Sequence, residues 1–278
     1  MPAMAEAERV ERVERFGDWI ELRRDGETRV ATLLLDRPEA LNALSAELAA
    51  RLAEACAELA ADRATRAVVL GSTHERAFCV GADLKERNGL DDAGLRRQRR
   101  VLRAAFGGVL GLPMPVIAAV RGFALGGGYE LALSCDLVVA DESAVVGLPE
   151  VSVGVLPGGG GTQLLPRRVG AARAAELVFT ARKVPAAEAL TLGMVDQVVP
   201  TGSEREEALA LAGRIARNSP VGVRAAKRAL RLGHGQDLAT GLEVEDAAWN
   251  EVAFSPDRVE GIAAFNERRA PDWPGCDG

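Results

Sequence analysis

Histidine is nearly absent from this chain of 278 residues: only His74 and His234 occur. That inventory argues against a histidine-built metal centre or a Ser-His-Asp triad. Cysteine is also scarce. Cys56, Cys79, Cys135 and Cys276 include no pair at zinc-ligand or redox spacing, which predicts reduced thiols. Lysine occurs only at 85, 183 and 227, so nearly all positive charge is arginine, and the net charge is −6. An acidic balance of this kind argues against a nucleic-acid partner. No apolar run reaches the length of a membrane span. The stretch from Met1 to Arg15 alternates Glu and Arg without an apolar h-region. It reads as neither a secretory signal nor an acid-poor transit peptide, but as a frayed or weakly helical tail. These absences predict a cytoplasmic protein without metal or nucleotide cofactor, membrane contact or nucleic-acid partner. If the chain is an enzyme, its proton transfers run through carboxylates.

What is present suits a globular protein. Hydrophobic residues make up 48% and charged residues 27%, enough for one large core or one core plus a small unit. Asp18 to Arg24 and Arg29 to Leu35 read as strands across a turn at Asp25-Gly26. Ser45 caps a predicted helix reaching about Ala61, with Leu48, Leu52, Cys56 and Leu59 on one face. Ala67 to Gly71 reads as a buried strand, and Asp91 to Leu110 as a helix with an Arg-rich outer face. Pro115 to Val120 and Leu137 to Ala140 are strand-like. Beyond Gly170 the spacing is helical over 171–181, 185–191, 203–217, 220–232, 237–254 and 256–268, with only Met194 to Val199 strand-like. The alternation predicts an α/β fold.

The stretch from Gly122 to Glu130, Gly-Phe-Ala-Leu-Gly-Gly-Gly-Tyr-Glu, follows a strand-like run and opens an apolar segment. Strand, glycine turn and helix start expose backbone N–H groups where the helix dipole favours negative charge. Three glycines let a ligand approach the main chain, and Glu130 stands two residues beyond. The stretch thus offers donors for an oxyanion beside an acid/base group. Alone it is also compatible with a tight turn carrying a solvated glutamate. It is not a phosphate loop, since no Lys-Ser or Lys-Thr follows.

Two further segments accompany it: Ala77-Phe78-Cys79-Val80-Gly81-Ala82-Asp83-Leu84-Lys85, and Gly147-Leu148-Pro149-Glu150 running on to Gly158-Gly159-Gly160-Gly161-Thr162-Gln163. Together the three resemble the crotonase superfamily of enoyl-CoA hydratases and isomerases, in order and at the family's spacing, from about Trp19 to Arg269. The phrases Ala82 to Arg87 and Asp237 to Leu242 look most like its methylglutaconyl-CoA hydratase branch. The resemblance implies the crotonase (ClpP-like) spiral of strand-strand-helix turns over 17–200, holding the active site. A C-terminal helical trimerisation region would follow over 201–270, giving a homo-oligomer, a trimer or a hexamer of two trimers.

It also implies roles. Ala82 and Gly127 would supply the oxyanion-hole N–H groups, and Glu130 and Glu150 would be the two hydratase carboxylates, Glu150 mainly protonating C2 and Glu130 mainly serving the water. Coenzyme A would enter as part of an acyl-CoA thioester substrate, not as a cofactor. Arg37, Ala40, Leu41, Ala82, Asp83, Leu84, Lys85, Gly127 and Arg268 match positions that contact it, and 88–103 would wall the acyl pocket. The glycine run at 158–161 reads as a turn allowing close packing over the site. An enoyl-CoA isomerase on the same fold needs one base and no water, and the presence of both glutamates favours hydration. An RNA-binding role would need lysines on the first helix, where Ala46, Ala50 and Glu54 stand instead. The arginines 96, 97, 99, 100 and 103 read as a solvated or subunit-contact face.

Overall fold

Runs such as Val68-Val69-Leu70 lack polar alternation, as strands covered on both faces require. The computed structural model describes residues 11–275. In chain order the strands are β1 (Glu11–Phe16), β2 (Ile20–Asp25), β3 (Val30–Leu35), β4 (Ala67–Ser72), β5 (Ala77–Cys79), β6 (Val116–Val120), β7 (Phe123–Leu125), β8 (Leu137–Asp141), β9 (Val145–Gly147), β10 (Val184–Pro185) and β11 (Gln197–Val199). The helices are α1 (Ala46–Ala61), α2 (Leu84–Asn88), α3 (Asp92–Leu110), α4 (Gly127–Leu133), α5 (Gly161–Val169), α6 (Ala171–Thr180), α7 (Ala186–Leu192), α8 (Glu204–Ala216), α9 (Pro220–Gly233), α10 (Leu238–Ala253) and α11 (Pro256–Glu267).

One sheet has the order β1-β2-β3-β4-β6-β8-β11 and the other β10-β9-β7-β5. The first three strands pair antiparallel, and the large sheet is parallel from β3 onward. In the small sheet β5, β7 and β9 are parallel. Three times the chain lays a strand in the large sheet, a short strand in the small sheet, and then enters helix: β4-β5-α2, β6-β7-α4 and β8-β9-α5. This is the expected strand-strand-helix spiral. The short strands β5, β7 and β9 are what it needed beyond the strands legible in the sequence.

The large sheet is a packed layer because β4 alternates. Val68 and Leu70 join the main core with Leu48, Leu52 and Leu59 of α1, while Ala67 and Val69 face Ala208, Ala212 and Ala216 of α8. Alanine at i, i+4 and i+8 lets α8 lie close on the sheet. The helix at 204–216, grouped with the C-terminal region by the division at 200/201, is therefore a layer of the sheet body. The Ser45 hydroxyl accepts from the Leu48 N–H at 3.1 Å and starts α1 as expected, a cap worth about 1 kcal/mol.

Residues 11–15 correct the expected tail. They form the edge strand β1, because Glu14 meets Arg24 of β2 and a charged alternation suits a sheet edge. Residues 1–10 lie outside the described residues. At the other end α9, α10 and α11 leave large apolar side chains outside: Leu238 is 79%, Phe254 81% and Phe265 84% exposed. No described helix is long and apolar enough to cross a membrane.

Candidate active site

The site begins where the small sheet brings β5 and β7 side by side, and its glycines mark close approaches of backbone. A Cβ at Gly122 would stand 2.1 Å from the Arg76 carbonyl oxygen, and one at Gly128 would stand 1.9 Å from that of Cys79. Gly122 thus closes the β6–β7 turn, and Gly128 seats α4 on β5. Gly126 has φ 55 and ψ −128, a conformation for glycine alone. A Cβ at Gly81 would lie 3.1 Å from the Gly127 nitrogen. Segments 81–82 and 126–127 therefore meet with no side chain between them.

Their hydrogen bonds decide which groups remain free. Leu44 N–H donates to the Gly81 carbonyl at 2.7 Å, and Asp83 N–H donates to the Leu44 carbonyl at 3.0 Å. The Ala82 N–H between them points the other way, by the alternation of an extended chain. Among the described residues, neither the Ala82 nor the Gly127 N–H donates to any acceptor, and both residues line the same cavity of about 970 Å³.

Glu130 and Glu150 line this cavity too. Glu130 is only 3% exposed. Its Oε1 accepts the N–H groups of Gly159 at 2.7 Å and Gly161 at 2.8 Å. Burial raises its pKa, while those donors and the Arg99 charge pull it back; the balance stays above the usual carboxylate range. Glu150 opens a 3-10 turn, Glu150–Val153, after Pro149. Both of its carboxylate oxygens are buried without a hydrogen-bond partner among the described residues. Burial, with the Glu130 charge adding to it, pushes its pKa up to about 7. A Cβ at Gly126 would lie 3.3 Å from Glu150 Oε1, so the unpartnered carboxyl sits directly over the glycine turn. Two unsatisfied buried oxygens require a partner in the working molecule.

The remaining predicted residues divide. Leu84 lines the cavity, as do Leu95 and Leu102 of the expected 88–103 wall. Asp83 caps α2 by accepting from Lys85 N–H and Glu86 N–H, and its other oxygen accepts from Arg37 Nη1 at 2.8 Å. Burial works against its charge, but these donors hold its pKa below the usual range. Arg37 also donates to the Ala43 carbonyl and lies 4.7 Å from the Trp19 ring centroid. The pair therefore ties down the segment that carries Ala82. Ala40 ends a 3-10 turn, Leu41 takes φ 50 beside it, and Lys85 is exposed on α2. Arg268 closes α11 at φ 53. Of these, Arg37, Ala40, Leu41, Asp83, Lys85 and Arg268 are not among the cavity-lining residues.

Two features were not foreseen. The glycine run at 158–161 does more than pack closely, since its N–H groups hold Glu130. A run of glycines opening a helix is an anion-seeking feature, and that signal pointed to a buried carboxylate partner. The arginines of α3 are exposed as expected; the second feature is that Arg96, Arg99 and Arg100 also border the cavity. Among the described residues no cluster of His, Cys, Asp and Glu is arranged to hold a metal ion.

Comparison with known proteins is consistent along the chain. A model of the family described as Enoyl-CoA hydratase/isomerase matches residues 25–276. Enoyl-CoA hydratase domain-containing protein 2, mitochondrial, of Mus musculus is 43% identical over 88% of this chain and 84% of that protein. Methylglutaconyl-CoA hydratase, mitochondrial, of Rattus norvegicus is 40% identical over 88% of this chain and 80% of its own length. The crystal structure of an enoyl-CoA hydratase from Bacillus anthracis superposes with a TM-score of 0.87 at 41% identity, covering 95% of this chain and 99% of that one.

Proposed function

The chain belongs to the enoyl-CoA hydratase/isomerase family, and from that membership we propose that it is an enoyl-CoA hydratase, a hydro-lyase that reversibly adds water across the C2=C3 bond of a 2-enoyl-CoA thioester. One observation carries the choice within the family: two carboxylates of unlike character border one cavity, beside two backbone N–H groups that find no acceptor among the described residues. The thioester oxygen accepts from the N–H groups of Ala82 and Gly127, which stabilise the enolate formed when water adds at C3. Glu130, oriented through Oε1 by Gly159 and Gly161, takes a proton from that water on its other oxygen. Glu150, neutral below about pH 7, gives its proton to C2. The pair thus holds one proton before and after turnover, on opposite members, and dehydration is the same path reversed.

Coenzyme A is part of the substrate in this reading, and no separate cofactor or metal takes part. The exposed apolar faces of α9–α11 fit a homo-oligomer, a trimer or a hexamer of two trimers, working in the cytoplasm without membrane or nucleic acid. The outward apolar side chains Leu238, Phe254 and Phe265 support the assembly, since isolated monomers rarely leave such a surface in water. An isomerase would need one base, and nothing in the site favours leaving one glutamate idle. The test is a panel of 2-enoyl-CoA thioesters of increasing length, followed by loss of the conjugated-enone absorbance with the 3-hydroxyacyl product identified by mass. Turnover of at least one member to the hydrated product is expected. Migration of the double bond without gain of water would replace the reading by isomerisation.

A further inference from the structure

Asn42 is wholly buried and is not among the cavity-lining residues, yet it joins three segments that lead to one wall of the cavity. Its backbone takes φ 55, next to Leu41 at φ 50, and asparagine is one of the few residues at ease there. Its amide is engaged at both ends. Oδ1 accepts the Arg37 N–H at 2.7 Å, while Nδ2 donates to Ser72 Oγ at 2.7 Å and to the Phe78 carbonyl at 3.0 Å. Ser72 Oγ in turn donates to the Ala77 carbonyl and accepts the His74 N–H, both at 2.9 Å, which closes the turn between β4 and β5. One side chain therefore fixes the loop 37–44, the β4–β5 turn and β5 against one another.

The register set by this node runs to the Ala82 N–H. Two residues after Asn42, Leu44 holds the chain on both sides of Ala82: its N–H donates to the Gly81 carbonyl, and its carbonyl accepts the Asp83 N–H. This is a single parallel bridge outside the sheets, so the loop behind it decides where it sits. Arg37, whose N–H Asn42 holds, donates through its guanidinium to the Asp83 carboxylate. The Ala82 donor is thus gripped before it, at Phe78 and Gly81, and after it, at Asp83, by one loop whose conformation rests on Asn42. Gly127 differs, because it opens α4 and the helix aims its N–H. A donor stabilises an oxyanion only when aimed at where the charge develops, and a misplacement of about 1 Å can cost roughly 100-fold in rate.

Resting on the hydratase reading of this cavity, we propose that Asn42 is the positioning residue of the Ala82 oxyanion donor: its amide, buried away from the substrate, sets where that N–H points. Arg37 and Asp83 belong to the same frame. Two consequences separate positioning from general support of the fold. The loss on removing the amide falls on charge developed in the transition state and not on ground-state binding of the thioester, and it falls on one of the two donors.

Infrared difference spectroscopy on the full chain reads the donors without turnover. The probe is butanoyl-CoA, a saturated thioester that cannot be hydrated, labelled with carbon-13 at its carbonyl. Two N–H groups aimed at the carbonyl oxygen lower its stretching frequency relative to the thioester in water. Asn42→Gly removes the amide and leaves positive φ unstrained. It should lose about half of that lowering, since one of two donors is misaimed. Its Kd for butanoyl-CoA should change less than about 3-fold, and kcat for hydration should fall about 10- to 100-fold at little altered KM. Asn42→Asp also suits positive φ, keeps the acceptance from Arg37 and gives up the donation to Phe78, so it should move both readouts in the same direction. Near-ultraviolet circular dichroism identifies the folded variants. A folded variant with the wild-type carbonyl frequency overturns the proposal. So does a loss of affinity that parallels the loss of kcat, or failure of both variants to fold, since either assigns Asn42 to general support. A reduced shift in the variants without hydration of any enoyl-CoA by the wild type would refute the hydratase reading alone. Hydration by the wild type, with an unchanged shift in a folded variant, would refute the positioning role alone.

Discussion

Glu130 sits one turn into α4 with Oε1 between the N–H groups of Gly159 and Gly161, whereas Glu150, on the turn after Pro149, has both oxygens buried with no donor among the described residues. Burial acts on both carboxyls in the same direction. At Glu130 the glycine-loop donors and the Arg99 charge oppose it, whereas at Glu150 only its own backbone does, and the Glu130 charge adds to the rise. The comparison teaches that the charge states favoured by two chemically identical side chains are set by the loops around them: backbone donors favour the carboxylate, and a lack of them favours the acid.

The comparison breaks most visibly if either carboxyl is made unable to exchange a proton. Glu130→Gln and Glu150→Gln should each lower kcat for hydration by about 10²–10⁴, with KM changing much less. The double variant should be little worse than the poorer single one, since groups that act as a unit are not additive. Assaying double-bond migration on the same preparations sharpens the test, because an isomerase would tolerate one of the two changes. Near-normal hydration by either single variant would remove that glutamate from the mechanism.

A somewhat smaller loss is expected when an oxyanion donor is removed and both glutamates are kept. Proline has no N–H, so Gly127→Pro or Ala82→Pro should cost about 10²–10³ in turnover. Position 127 is the first residue of α4, where proline is tolerated in a helix. Near-ultraviolet circular dichroism should confirm the fold. A folded variant with ordinary turnover would show that the N–H is not used.

Much of this contrast was legible in the sequence, and its cause was not. The glycine turn before Glu130 is a local signal, whereas Glu150, Ala82 and Gly127 were singled out by the family resemblance. α1, α3 and the central strands were readable from continuous or helically spaced apolar positions. β5, β7 and β9 were not, because three residues among glycines carry no period. The donors to Glu130 lie 29 and 31 residues away in sequence and exist only once β9 has carried the chain back over α4. The arginines of α3 have the spacing of a solvated face, and only the position of that helix turns them toward the cavity.

A stability measurement probes the same difference with an effect of a few kcal/mol at most. Glu150 has a folded-state pKa of about 7 against 4.5 for an unperturbed glutamate. The folded state therefore holds its proton more tightly than the unfolded chain does. Stability is at its fullest below pH 4.5 and declines as pH rises through about 7. Replacing Glu150 by glutamine should relieve that penalty, raising stability relative to wild type by on the order of 1–3 kcal/mol at pH 8 and by little at pH 4.5. Thermal unfolding of both proteins across this range checks the sign. A variant less stable at pH 8 than at pH 4.5, relative to wild type, would mean that the Glu150 carboxylate is stabilised in the fold.

The central claim is that the two glutamates hold one shared proton, and the pH dependence of kcat/KM measured in both directions on one preparation tests it most directly. Hydration consumes no net proton, and the productive form is singly protonated in either direction. The account predicts two superimposable bell-shaped profiles, falling at low pH as the pair takes a second proton and falling above about pH 7 as it loses the last one. A hydration profile that stays flat through pH 7 and beyond, or that keeps only its low-pH limb, would contradict it.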